Sequence, residues 1–282
     1  MELEIPNRLA TLGHPQRLAV FRLLMRRYPD RVPATELAKA LGLKPNTLST
    51  YVNALMHAGL VSQERVGTSL RYAIDMDAAR ETIDYLLHDC CRGRPEICHP
   101  DALSTANRDI PMTDRKHNVL FICTGNSARS IFAESILRDL AGDRFEVYSA
   151  GTKPRSDLNP FALDVLKQKG HDVSVLRSKS IAEFQGPDAP VFDFVFTVCN
   201  QAANEECASW QGQPISAHWG LTDPVKVQGS DAEKSLAFHQ TYGALRNRMI
   251  GFTALPLASL DRMSLQRAVD NIGQTKEQGP ST

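Results

Sequence analysis

The sequence has no net charge: its 32 basic and 32 acidic side chains cancel. A field-level argument for nucleic-acid binding is therefore closed, and any such function must come from local architecture. There is also no apolar run near the ~20 residues that a bilayer crossing needs, so no membrane partner is expected. The opening residues, Met1-Glu2-Leu3-Glu4-Ile5-Pro6, lack the basic and apolar regions of a secretion signal, and a cytoplasmic location is expected. Internal repeats are absent. What is present suffices for folding: 282 residues allow two domains, and 42% hydrophobic with 23% charged residues lets each build a core. The six cysteines fall into three groups: Cys90, Cys91 and Cys98; Cys123 alone; and Cys199 with Cys207. A cytosolic protein has little use for structural disulfides, so metal, metalloid or catalytic roles stand against the alternative of small buried apolar side chains.

The pattern divides the chain into a domain over residues 1–98, a polar linker over 99–116, a second domain over 117–270 and a flexible tail over 271–282. In the first, one helix is expected over residues 7–28 and a short one over 34–41, closed by Gly42. Pro45 then opens a third helix to residue 57, with Gly59 at its end. Leu48, Val52 and Leu55 share one face of that third helix, and Asn46, Thr47, Ser49, Thr50 and Asn53 lie on the other. Helix, glycine turn, then a helix with a small polar outer face is the helix-turn-helix layout. Two short strands, 60–63 and 70–74, flank Val66-Gly67-Thr68, and Arg65 and Arg71 around that turn are expected to reach phosphates as a wing. Turn, polar face and basic wing together outweigh the alternative of a merely solvated face, and DNA is the expected partner. Residues 9–98 resemble the ArsR–SmtB family of winged-helix repressors, notably in Leu12-Gly13-His14-Pro15-Gln16-Arg17-Leu18 and in Leu41-Gly42-Leu43-Lys44-Pro45-Asn46-Thr47-Leu48-Ser49. The resemblance implies a homodimer, formed through this domain, that releases a two-fold operator when ligand binds. The Cys-Val-Cys sensor that some members carry on the recognition helix is absent, so sensing must lie elsewhere.

Asp89-Cys90-Cys91-Arg92-Gly93-Arg94-Pro95-Glu96-Ile97-Cys98 follows a helix expected over residues 76–88. Gly93 and Pro95 break the helix, which lets the chain fold Cys98 back onto Cys90 and Cys91. Three thiolates without a carboxylate suit a soft three-coordinate centre such as arsenite. Zinc is the alternative, since His99 would complete a four-ligand set, although adjacent cysteines are an awkward zinc pair. Some arsenic repressors carry a similar site after their last helix, and arsenite is the expected sensor ligand.

In the second domain an apolar strand over residues 117–122 runs into Cys123-Thr124-Gly125-Asn126-Ser127-Ala128-Arg129-Ser130 and then a helix to about residue 140. Strand, tight loop and helix form an oxyanion cradle, because loop N–H groups and the positive helix end converge. Arg129 adds a bidentate grip that lysine cannot reproduce. Cys123 at the bottom of this positive cradle is expected to have a depressed thiol pKa, with Ser130 donating to the thiolate and Asn126 bracing the loop. The Gly-Lys-Ser/Thr ending of a nucleotide-binding loop is missing.

Cys-x₅-Arg-Ser is a specific signature, and residues 118–260 resemble the low-molecular-weight protein tyrosine phosphatase fold, in particular the thioredoxin-coupled arsenate reductases that share it. The resemblance implies an α/β domain with a parallel sheet flanked by helices, with strands at 117–122, 145–149 and 192–198. Phosphate and arsenate are near-isosteric, so the cradle alone does not separate a phosphatase from a reductase. Downstream, Asp223-Pro224 fits a general acid but is followed by Val225, where the phosphatases usually carry an aromatic residue. Cys199 sits just past a strand and Cys207 lies eight positions on; reduction of As(V) to As(III) needs two electrons, which a dithiol supplies. The resemblance implies that Cys123 attacks arsenate, Cys199 attacks Cys123, and Cys207 takes the disulfide for delivery to thioredoxin or another thiol reductant. No cofactor is expected for catalysis. Residues 200–206 favour helix, and eight helical residues span ~12 Å. A disulfide tolerates at most ~7 Å between Cα atoms, so the segment is expected to unwind or loop out on oxidation, moving the disulfide toward solvent. One departure from many such reductases is Ala128, where they have a second loop cysteine. His218 and Trp219 are expected to serve packing. Two other readings stay open: a phosphatase with a regulatory DNA-binding module, and an oxyanion-sensing transcription factor without turnover.

Overall fold

The computed structural model describes residues 4–90, 115–186, 188–205 and 210–274. The chain separates into two compact units, residues 1–113 and 114–282, each with its own hydrophobic core.

The N-terminal unit opens with two helices, α1 (Glu4–Leu12) and α2 (Pro15–Arg27), where the sequence pattern predicted one. The break lies at Gly13-His14. Pro15 lacks an N–H and pushes His14 out of helical geometry, and the His14 ring then caps α2 by accepting from the Gln16 N–H at 3.2 Å. A two-residue strand, β1 (Val32–Pro33), precedes α3 (Ala34–Leu41), and α4 (Pro45–His57) follows. Gly42 ends α3 in the left-handed region, at φ 63°, as the turn requires. Leu48, Val52 and Leu55 are each no more than 2% exposed, so α4 buries the face that its spacing predicts. Strands β2 (Val61–Val66) and β3 (Ser69–Ile74) form the hairpin, and β1 pairs with β3 to give the order β1-β3-β2. Helix α5 (Met76–Tyr85), capped by the Asp75 carboxylate, passes into a π-helical turn, Leu86–Cys90.

The C-terminal unit is a four-stranded parallel sheet in the order β5-β4-β6-β7. Strand β4 (His117–Cys123) is central, beside β5 (Phe145–Gly151) and β6 (Phe194–Thr197), with β7 (Ile215–His218) at the edge. Residues 119–122 of β4 are at most 1% exposed, the continuous burial expected of a parallel strand covered on both faces. Strand β6 is shorter than residues 192–198. At its start the Asp193 carboxylate takes the Asn118 N–H at 2.8 Å and a bidentate bond from Arg115; past its end Cys199 caps the next helix. The helices are α6 (Arg129–Ala141), α7 (Pro160–Gln168), α8 (Asn200–Asn204), α9 (Asp231–Thr253) and α10 (Arg262–Gly273). The last of these continues through residues 271–273, which the sequence pattern placed in a tail. Its Val269 carbonyl accepts from the indole of buried Trp219 at 2.9 Å. Trp219 in turn stacks on Phe196, with ring centroids 4.1 Å apart. This aromatic layer holds the β6 and β7 ends, and with them the segments that follow, in fixed positions.

Candidate active site and helix-turn-helix surface

Cys123, Gly151, Thr197 and His218 end the four parallel strands, so the chemistry-bearing segments after them share one edge of the sheet. The loop from Thr124 to Ala128 is oriented by its carbonyls. Those of Cys123, Thr124, Gly125 and Ser127 accept from the N–H groups of Thr152, Lys153, Arg155 and Asn159, all at 2.9–3.1 Å. A peptide N–H points opposite to the carbonyl it is joined to. The N–H groups of residues 124, 125, 126 and 128 are therefore turned to the other side, and the Asn126 N–H reaches Cys123 Sγ at 3.1 Å. Close packing of the two segments needs Gly151: a methyl group there would lie 2.8 Å from the Thr124 carbonyl oxygen.

Asn126 braces the loop as the sequence suggests. It is fully buried with a positive φ of 41°, and every polar atom of its amide is used. Nδ2 donates to Ser130 Oγ at 2.9 Å and to Ser149 Oγ at 2.8 Å, while Oδ1 accepts from the Lys179 N–H at 2.7 Å. With Asn126 donating to its oxygen, Ser130 keeps a proton for Cys123 Sγ, 2.9 Å away. The expectation of a depressed Cys123 pKa is corrected. Burial pushes the thiol above its ordinary value and Cys199 adds to the rise, whereas Ser130 and Arg129 pull downward and do not prevail. Sequence reading weighed the cations and dipoles but not the desolvation of a side chain only 3% exposed.

Arg129, the first residue of α6, donates to the Leu221 carbonyl at 2.9 Å and pairs with Asp223 at 2.9 Å. Asp223 also caps the turn after it by accepting from the Val225 N–H. Cys199 is 1% exposed; its sulfur lies 3.4 Å from Thr124 Oγ1 and accepts from the Ala202 N–H at 3.4 Å. The loop, Arg129, Asp223 and Cys199 thus come together. Helix α8 spans only five residues, and Glu205 already has an extended backbone, ψ 144°. The expectation of a helix across 200–206 is corrected, and with it the premise that oxidation must unwind such a helix. Cys207 lies outside the described residues. His218 bonds Thr197 and Asn200 at 2.8 and 3.3 Å, which is a supporting role.

Sequence reasoning missed the buried base beneath the loop. Ser149 donates to Glu134 at 2.5 Å, and Lys179 pairs with the same carboxylate at 2.9 Å, both charges less than 10% exposed. These residues come from a helix, a strand and a loop far apart in sequence, so no local spacing marks them.

In the N-terminal unit Asn46, Ser49, Thr50 and Asn53 are exposed and Thr47 half-buried on the outer face of α4. The expected pair of wing arginines is split. Arg65 lies opposite Leu70, whereas Arg71 lies opposite Glu64. Directly paired residues share a face and neighbours alternate, so the two arginines occupy opposite faces of the hairpin. Arg65 is exposed near the tip; Arg71 is half-buried. Cys90 is an exposed free thiol, while Cys91, Cys98, His99 and residues 99–114 lie outside the described residues. Among the described residues no helix is long and apolar enough to cross a membrane.

A family model for the low molecular weight phosphotyrosine protein phosphatases matches residues 118–266, and one for a helix-turn-helix domain matches residues 12–64. The arsenate reductase of Halalkalibacterium halodurans is 35% identical over 137 residues, which is 49% of this chain and 95% of that protein. The arsenate reductase of Bacillus subtilis is 35% identical over 137 residues, covering 48% of this chain and 93% of its own length. A solved structure of an arsenate reductase in the phosphate binding state has 24% identity and a TM-score of 0.37, over 49% of this chain and 97% of that one.

Proposed function

The chain belongs, through residues 118–266, to the low molecular weight phosphotyrosine protein phosphatase family and carries a helix-turn-helix domain over residues 12–64, and from that premise we propose that it reduces arsenate to arsenite and represses transcription in an arsenite-responsive way. The observation that carries the enzymatic part is the second buried thiol. Cys199 stands at the edge of an oxyanion loop whose nucleophile is Cys123, and a phosphatase needs no such partner. Relatives named arsenate reductase, matched over nearly their whole length, support the same substrate.

In this reading the Cys123 thiolate bonds to arsenic while Asp223 delivers a proton to the departing oxygen, which leaves as water. Cys199 then attacks Cys123. The S–S bond forms, the S–As bond breaks, and its electron pair reduces As(V) to As(III), released as arsenite. Cys207 attacks Cys199, freeing Cys123, and a thiol reductant of the thioredoxin kind reduces the Cys199–Cys207 disulfide. NADPH oxidation with arsenate, thioredoxin and thioredoxin reductase tests the relay: turnover in wild type is expected to vanish in Cys199→Ser and Cys207→Ser. Aryl-phosphate hydrolysis indifferent to both serines, with no arsenate turnover in wild type, would return this unit to the phosphatases.

For the N-terminal unit we propose that α4 reads operator DNA in a homodimer, using Asn46, Thr47, Ser49, Thr50 and Asn53, with Arg65 on phosphate. Arsenite held by Cys90, Cys91 and Cys98 would release the operator, with zinc as the alternative ligand.

A further inference from the structure

The segment that orients the oxyanion loop also brings a cation to its rim that the relay leaves unused. The Arg155 N–H is fastened to the Gly125 carbonyl at 3.0 Å. Its side chain then folds over the same residue: a methyl group on Gly125 would meet Arg155 Cγ and Nε at 3.5 Å. An ordinary surface arginine extends into water, whereas this one lies along the loop. Arg129 is paired with Asp223 at 2.9 Å and also holds the Leu221 carbonyl. Lys153 lies 3.5 Å from Glu205. Among the described residues the exposed Arg155 guanidinium has no ion pair or hydrogen bond. The two flanking cations are compensated, and Arg155 supplies the free positive charge at the rim.

We propose that Arg155 binds the outward-facing oxygen of a tetrahedral dianion seated in loop 124–130, and so selects inorganic oxyanions such as free arsenate or phosphate over their organic esters. The identity of arsenate as substrate rests on the reading above; the oxyanion contact does not. Loop N–H groups and Arg129 can gather three oxygens, which leaves the fourth facing out. In an inorganic dianion that oxygen is an anionic or hydroxyl acceptor for the guanidinium fork. In a monoester it is a bridging atom bearing carbon, a poor acceptor whose substituent competes with Arg155 for the same space. An uncompensated cation at the rim also speeds encounter with an anion, by a factor that salt reduces.

The test uses the full chain as wild type, Arg155→Ala and Arg155→Lys, with matching circular dichroism as the check on folding. Calorimetric titration with inorganic phosphate and with phenyl phosphate measures binding directly. Arg155→Ala is expected to weaken inorganic phosphate by about 10-fold, the scale of one charged hydrogen bond, and phenyl phosphate by no more than about 2-fold. Arg155→Lys should recover part of the loss, because it restores the charge without the fork. In arsenate turnover the KM of Arg155→Ala should rise by a similar factor, and added salt should penalise wild type more than the variant. Unchanged phosphate affinity in Arg155→Ala, or an equal loss for both ligands, would overturn the proposal, as would failure of wild type to bind phosphate. Binding requires no thiol relay, so Arg155-dependent selectivity without arsenate turnover would sink the reductase reading alone. Turnover with Arg155-independent affinity would sink this inference alone.

Discussion

At the scale of single residues, the nucleophile is governed by a contest between solvation and hydrogen bonding. Cys123 is buried, and burial favours its neutral form. The Asn126 N–H and Ser130 hydroxyl at its sulfur favour the thiolate. Ser130 is itself aligned by Asn126, whose amide is locked from two further sides by Ser149 and the Lys179 backbone. Removing the hydroxyl therefore takes away a stabiliser of the charged form and leaves the desolvation intact. Ser130→Ala is expected to raise the Cys123 pKa further and to lower the thiolate fraction at neutral pH by roughly 10-fold. Ultraviolet thiolate absorbance as a function of pH, taken as a difference against Cys123→Ser in each background, reads this directly; a midpoint that stays put would show the serine to be a spectator.

At the scale of elements, termini matter more than interiors. Pro15 turns one apolar stretch into α1 and α2, and Cys199 serves both as the cap of α8 and as a proposed relay thiol. The brevity of α8 places an extended backbone at Glu205, so the route to Cys207 begins without a helix to melt. Helix α10 contributes a titrating group. Asp270 is desolvated against the sheet and its carboxyl is pushed up from 3.8 to about 6, opposed only by the Gln266 amide at 3.1 Å. Since the folded value exceeds the unfolded one, the native state holds this proton more tightly. The stability from the protonated form is complete below about pH 4 and is lost as pH rises through 6. Asp270→Asn keeps the acceptor for Gln266 without the charge. It is expected to be more stable than wild type at pH 7, by on the order of 1–3 kcal/mol, and equal to it near pH 4. Urea denaturation at the two pH values decides; a gain of the same size at both would exclude ionisation as the cause.

At the scale of the molecule, two separate cores lie on one chain, one beneath a helix-turn-helix and one within a parallel sheet. Their union in one polypeptide makes the product of the proposed enzyme a ligand of the proposed sensor. On this reading arsenite added to the full chain on operator DNA should release it, and Cys90→Ser should blunt the release. A mobility-shift titration in which operator affinity ignores arsenite would remove the sensor from the scheme. One in which zinc alone acts would exchange its ligand.

The sequence by itself determined whatever rests on short-range spacing. The α4 face of Leu48, Val52 and Leu55, the Gly42 turn, and the strand–loop–helix around Cys123 and Arg129 follow from periodicity, left-handed backbone and motif, which are local properties. Only the tertiary structure decided what depends on long-range approach. The loop carbonyls are aimed by residues 152–159, Asn126 is held by Ser149 and Lys179, and Arg65 and Arg71 are parted by hairpin register. The sign of the Cys123 shift belongs to the same class. Desolvation is set by everything packed around a group, and a linear pattern shows the charges near a thiol without showing how much water the fold has taken from it.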